Sequence, residues 1–189
     1  MLEITNHQFK YSEFYLPTWQ LDYLFIGTFN PEFGEKVSYY YGRKTNYFWK
    51  IISEIFKIKI DVNNEMFFKQ LKSLKIGCID LVDCVTYDKD KYHDIINGKG
   101  YSDQVLFKNK YDIKKTYNTQ IIINLIKRNN LSKVYLTNLG NVFREEQKKE
   151  LKLIENFCGI INLSSPSQYN VHRKSIYQVI NNWKERLKI

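Results

Sequence analysis

Three segments concentrate the residues able to do chemistry. They are Gly27-Thr28-Phe29-Asn30-Pro31-Glu32-Phe33-Gly34, Tyr39-Tyr40-Tyr41-Gly42-Arg43-Lys44-Thr45-Asn46-Tyr47-Phe48-Trp49 and Ser164-Ser165-Pro166-Ser167-Gln168-Tyr169-Asn170. The first and third are polar turn segments, and neither reads as a tight turn. The first offers main-chain N–H groups beside a glycine and an Asn-Pro pair, which commonly starts a turn. The second interleaves aromatics with Arg43 and Lys44, a composition suited to a flat base beside a phosphate backbone. Stacking a base on such a ring is worth about 1–3 kcal/mol. At least one of Tyr39, Tyr40 and Tyr41 is therefore expected against a ligand. Phe48 and Trp49 read first as core anchors of the helix they open. Asn46 precedes that helix, and asparagine is a preferred N-cap. Each asparagine thus has a structural role ready for it. Convergence on one pocket is what recommends them as functional.

Several common chemistries have no footing. There is no GxGxxG dinucleotide fingerprint and no GxxxxGK[ST] phosphate loop. No GxSxG elbow presents Ser164, Ser165 or Ser167 as a nucleophile. His7, His93 and His172 are scattered, and His93-Asp94 is a lone pair best read as a loop pair. Three cysteines without CxxC spacing make neither a disulfide framework nor a four-thiolate metal site. No metal or cofactor is expected. The chemistry must run on amides, carboxylates, aromatics and main-chain groups.

The elements that would position these segments alternate. Four short apolar runs read as strands buried on both faces: Asp22 to Gly27, Ile76 to Val85, Lys133 to Leu136 and Gly159 to Leu163. Helical spacing covers Tyr47 to Phe56, Glu65 to Leu74, Thr119 to Asn129, Val142 to Phe157 and Val171 to Leu187. This order predicts one domain over residues 1–189, a three-layer α/β/α sandwich on a mostly parallel sheet of four to five strands. Ligands in such folds bind at the carboxyl ends of the strands, where the first and third segments lie. Asp80 and Asp83 end the second run and read mainly as loop anchors, with a catalytic base as the alternative. Residues Thr86 to Asn118 read as a long polar loop, and loops of that length are usually functional or mobile.

The chain has 189 residues, 43% of them apolar and 26% charged, in the range of folded globular proteins. The net charge is +9, which favours phosphate-bearing partners. The absence of alanine and the excess of Lys over Arg also fit an AT-rich coding bias, so the position of the charge matters more than its total. No apolar run reaches the roughly 18 residues a membrane helix needs, and no signal peptide is visible at Met1–His7. A reducing cytoplasm is the expected compartment, with no membrane association.

The first segments together resemble the uracil-DNA glycosylase superfamily. LFIGTFNP followed by YYYGRKTNYFW is similar to two of its branches. The mismatch-specific uracil and thymine glycosylases carry a Gly-x-Asn-Pro turn and then an Asn-Arg-Phe-Trp segment. The hypoxanthine-DNA glycosylases carry Tyr-Tyr, a basic pair and Asn-x-Phe-Trp, and Tyr40 to Trp49 reads closest to these. Ser164-Ser165-Pro166-Ser167 is similar to the Ser/Pro-rich motif that lies against the DNA minor groove. The first branch implies Asn30 as the catalytic residue, although two residues separate it from Gly27 where that branch has one. The second implies Asn46. The cluster-bearing branches need four cysteines, so no iron–sulfur cluster is implied.

The resemblance implies a monofunctional enzyme that flips a deaminated base, uracil or hypoxanthine, out of double-stranded DNA and hydrolyses its N-glycosidic bond. Damaged or mismatched duplex DNA is the implied partner, and a monomer the implied state. An Asn can hold the attacking water but is no general base at neutral pH, so good leaving bases are the expected substrates. Main-chain N–H groups of the Gly27 to Pro31 turn are placed to stabilise the leaving oxygen. Gly27, Thr28, Phe29, Tyr40, Tyr41 and Phe48 become candidate base contacts. Arg43, Lys44, Ser165, Pro166, Ser167, Gln168, Tyr169, Arg173 and Lys174 become candidate DNA contacts, with Gln168 and Tyr169 as the wedge. Two other readings compete: a catalytically weak lesion- or modified-base-binding module of the same fold, and an enzyme of free nucleosides.

Overall fold

The structure is a computed structural model that describes residues 1–62, 66–98, 101–107, 111–137 and 145–189. At its centre is a parallel sheet of strands β2 (Tyr23–Gly27), β3 (Ile76–Asp80), β6 (Lys133–Leu136) and β7 (Gly159–Asn162), in the order β3-β2-β6-β7. β2 is the middle of the argument. Its sequence YLFIG has no polar side chain beyond one tyrosine hydroxyl, and every residue after Tyr23 is buried. Its side chains alternate between two cores, as a pleated strand requires.

On one face Phe25 joins Tyr135, Phe48 and Trp183, stacking on the indole at 5.7 Å between centroids. That face is covered by α1 (Phe48–Phe56), α2 (Phe67–Ser73) and α8 (Ile176–Leu187). On the other face Leu24 and Ile26 join Ile79, Val134 and Leu136 beneath α5 (Thr119–Asn129) and α6 (Glu145–Glu155). The helices bury stripes at the spacing their sequences show: Phe48, Ile51, Ile52 and Ile55 on α1, and Val179, Ile180, Trp183 and Leu187 on α8. Each such side chain contributes about 1.5–3 kcal/mol on burial. The result is the three-layer α/β/α arrangement, with four strands in the parallel sheet.

A second sheet departs from expectation. The run Ile76 to Val85 is not one strand. It breaks at Leu81, whose N–H bonds to Gly27 O, and continues as β4 (Val82–Asp88) in an antiparallel sheet of order β1-β4-β5, with β1 (Leu2–Asn6) and β5 (Ile113–Tyr117). Accordingly, Thr86 to Asn118 is not a long loop. It holds the end of β4, helix α3 (Lys89–Asn97), the short α4 (Gln104–Phe107) and β5. These close a third core, around Val82, Val85, Tyr87, Ile96, Leu106 and Ile113. β1 and β5 are half-exposed strands with polar alternate positions, so they lack the continuous apolar run that marks a doubly buried strand.

The last helix is also broken. Val171 to Leu187 is split between α7 (Gln168–Lys174) and α8 at Ser175, whose φ of 66° and ψ of 151° no helix accommodates. Ser175 then caps α8 by accepting the Gln178 N–H, and Ser167 caps α7 by accepting that of Asn170. The segment Glu65 to Leu74 is realised as α2, with Glu65 outside the described residues, and Val142 to Phe157 as α6, with residues 142–144 outside them.

Trp183 is fully buried and its indole N–H donates to Ser164 O at 2.8 Å, which fixes the chain just after β7 to α8. Trp183→Ala is expected to cost about 3–5 kcal/mol of stability, read from urea unfolding.

Candidate functional site

The segments after β2 and β7 meet through main-chain atoms. Tyr47 N–H donates to Pro166 O and Gln168 N–H to Thr45 O, both at 2.9 Å, which pairs Asn46 with Ser167 as a one-residue antiparallel bridge. Beside this tie lies a cleft of about 580 Å³ at the carboxyl ends of β2 and β3. Of the residues singled out from sequence, Gly27, Thr28, Phe29, Asn30, Tyr41, Arg43, Asn46, Ser165, Pro166, Ser167, Tyr169 and Arg173 line it.

Five others do not line it. Tyr40 is 3% exposed and packs against Phe9 and His7 in the core, so its expected contact with a base is not supported. Phe48 is fully buried beneath Tyr41, the two rings coplanar and 4.0 Å apart, so it supports the cleft without lining it. Lys44 and Lys174 are exposed and outside the lining, and Gln168 is half-buried in the first turn of α7. Phe29 lines the cleft but is mainly a core residue of the second sheet, at 3% exposure. Tyr41 sits in the left-handed region, with φ 59°, and its hydroxyl bonds Thr137 Oγ1 at 3.0 Å.

Both asparagines face the cleft, and both are partly committed. Asn46 Oδ1 accepts the Phe48 N–H at 2.9 Å and so caps α1. Asn30 Nδ2 donates to Asp80 Oδ2 at 3.1 Å. The same oxygen receives His7 Nε2 at 2.8 Å. His7 Nδ1 accepts the Phe9 N–H, so the neutral ring carries its proton on Nε2 and donates it to Asp80. Asp80 is 2% exposed and lines the cleft floor, and the two donors satisfy its carboxylate. Asp83, by contrast, is held by Lys10 and Tyr15 away from the cleft lining and acts as an anchor.

The sequence reading missed His7 and Asp103. His7 follows β1 and reaches the floor only because β1 pairs with β4. Asp103 precedes α4, within the stretch taken for a loop, and lines the cleft with Tyr101, Gln104 and Phe107. Burial and the nearby Asp80 charge push its pKa up to about 6, against the pull of Arg43, Thr28 and Tyr101. Tyr101 is nearly buried, and its hydroxyl has no partner at ordinary hydrogen-bond distance. Arg43 Nε is likewise buried without a hydrogen bond, and its ion pair with Glu35 is long, at 3.8 Å. Among the described residues no three His, Cys, Asp or Glu side chains gather to hold a metal ion. Nor is any described helix long and apolar enough to cross a membrane.

No family model matches this chain, and no curated protein matches it. Among solved structures it is similar to a candidate uracil DNA glycosylase from Methanosarcina acetivorans, determined by NMR in solution. The TM-score is 0.54, the identity 16%, and the likeness covers 98% of this chain and 96% of that one. At that identity the likeness is one of fold alone, a parallel four-stranded sheet flanked by helices.

Two outcomes test the geometry. A Cβ at Gly27 would collide with Asp80 Oδ1, whereas one at Gly159 would meet Ser132 O at 3.7 Å and Lys133 Cβ at 4.0 Å, ordinary contacts. Gly27→Ala should cost about 1–3 kcal/mol and Gly159→Ala less than 1 kcal/mol, by thermal or urea unfolding. Asp103 releases its proton near its ordinary 3.8 when unfolded and near 6 when folded, so the native chain holds the extra proton between these values. Its contribution to stability is therefore lost as pH rises through that window. Asp103→Asn should be more stable than the parent at pH 7.5, by up to about 3 kcal/mol, and lose that advantage below pH ~4. Urea titrations at the two pH values decide it.

Proposed function

We propose that this protein is a monofunctional DNA glycosylase, which takes a deaminated base, uracil or hypoxanthine, into the cleft and hydrolyses its N-glycosidic bond. One observation carries the reading: the two segments tied across Asn46 and Ser167 share one cleft that holds both asparagines, a buried carboxylate and stackable rings. Arg43 and Arg173 on the lining supply positive charge for flanking phosphates, as duplex binding requires. Tyr169 is exposed, with the Arg173 guanidinium over its ring at 5.6 Å, and suits the place vacated by an extruded nucleotide.

The roles follow from chemistry. Asn30 Oδ1 holds the water, its Nδ2 being engaged on Asp80. Asp80, oriented by His7 and Asn30, takes the water's proton, which no amide does at neutral pH. Asn46 fixes the start of α1, with its remaining amide hydrogens available to the sugar or base. Main-chain N–H groups between Gly27 and Asn30 are the candidate donors to the leaving oxygen.

The commitment of both amides also favours a second reading, a lesion-binding module of the same fold with weak or absent catalysis. One experiment separates them. Duplexes carrying uracil, hypoxanthine, xanthine or mismatched thymine are incubated with the protein and treated with alkali. The glycosylase reading expects strand breaks on at least one of them, with Asp80→Asn lowering the rate about 10²- to 10⁴-fold. Salt-sensitive binding to a lesion duplex without breaks selects the module. Neither binding nor breaks on any duplex removes both.

A further inference from the structure

The cleft holds two acids in opposite settings. Asp80 is satisfied as a carboxylate by two N–H donors on one oxygen. Asp103 meets the Thr28 and Tyr101 hydroxyls and the Arg43 charge, but burial and the neighbouring Asp80 outweigh them. Asp103 stands on the wall formed by residues 101–107, half-buried, beside the hydroxyl of Tyr101. We propose that Asp103 is the proton donor to a departing purine, which deepens the glycosylase reading above and rests on it.

The groups facing Asp103 are Asp80 from the end of β3, Arg43 from the segment before α1, Thr28 from the turn after β2, and Tyr101 on its own wall. Tyr41 also feels its charge, and its phenol stays protonated because burial raises it well above 10. Asp103 is therefore the acid of this set whose proton is both retained in mildly acidic solution and readily given up, with a pKa near 6. Two carboxyl groups in one cleft, one held by N–H donors and one in a drier setting that favours its protonated form, can divide acid and base duties.

The substrate class follows from where the proton can go. A purine presents N7 and N3, ring nitrogens that accept a proton as the base departs. Uracil presents carbonyl oxygens and no such nitrogen. A base leaving as an anion beside two carboxylates would be repelled, and a base protonated by one of them would not. In the step, the C1′–N9 bond breaks and its electron pair passes to the purine. The Asp103 proton goes to N7 or N3, and the purine leaves neutral. Water adds to C1′ and its proton passes to Asp80. One water is consumed, and exchange with solvent returns each carboxyl to its starting state.

The test is single-turnover release from duplexes containing hypoxanthine, uracil or 7-methylguanine, across pH 5 to 8. The unmodified protein should release hypoxanthine, with the rate falling as pH climbs past about 6. Asp103→Asn should lower hypoxanthine release about 10²- to 10⁴-fold and abolish that falling limb. It should release 7-methylguanine, which is already cationic and needs no acid, within a few-fold of the parent and above spontaneous loss. That retained release also shows a folded, loaded cleft. Equal loss on hypoxanthine and 7-methylguanine, no loss on hypoxanthine, or release of uracil alone by the parent would overturn the assignment and leave base excision standing. Release of no base by the parent would remove the glycosylase reading and this inference with it.

Discussion

A carboxylate left 3% exposed needs donors, and Asp80 draws them from two distant parts of the chain. His7 comes from the amino-terminal strand and Asn30 from the turn after β2. Asp80 closes β3, and its own carbonyl is held by Asn118 Nδ2 just before α5. One residue later the chain leaves the parallel sheet for the antiparallel one. The buried charge thus sits where the two sheets join, and the second sheet has a clear physical duty: it carries His7 to one side of Asp80 and supports the wall bearing Asp103. Removing either donor would leave a buried charge under-paired, a far larger penalty than losing a surface contact. Gly27 belongs to the same constraint, since only a residue without Cβ leaves room for the carboxylate.

The electrostatics of the cleft are graded as a result. The acids lie inside, Asp80 on the floor and Asp103 on the wall, while Arg43 and Arg173 add positive charge to the lining. The chain's surplus of 29 basic over 20 acidic residues gives a background favourable to phosphates, yet the interior is not a generic anion site. Such an arrangement sets positive charge on the lining beside acids held within. It also accounts for the stability cost assigned to Asp103, because burial first and the neighbouring Asp80 second both oppose its ionisation.

The central sheet was legible because its strands are doubly buried and therefore read as unbroken apolar runs. Lys133–Leu136 and the helix Thr119–Asn129 have the bounds their sequences suggest. β1 and β5 were not legible, because a strand with one wet face and polar alternate residues looks like any polar segment. The break at Leu81 was hidden by its own hydrophobicity, which continues through both strands. At the site, Asn30, Asn46 and the Ser165–Ser167 turn stood out by residue type and spacing. His7 did not, since its partner lies 73 positions away and only the pairing of β1 with β4 brings them together. Tyr40 and Tyr41 are adjacent and alike on paper, yet the positive φ at Tyr41 sends one ring to the cleft while the other is buried.

The tie between the segments after β2 and β7 is made of peptide groups alone. Thr45, Tyr47, Pro166 and Gln168 join through carbonyl oxygens and amide hydrogens, so none of their side chains is required for the bond. Position and recognition are thereby decoupled. Drift in the side chains along either rim can retune what the cleft accepts while the frame around Asn30, Asn46 and Asp80 stays in register. The same economy forbids proline at 47 and 168, the two places where an amide hydrogen does the joining.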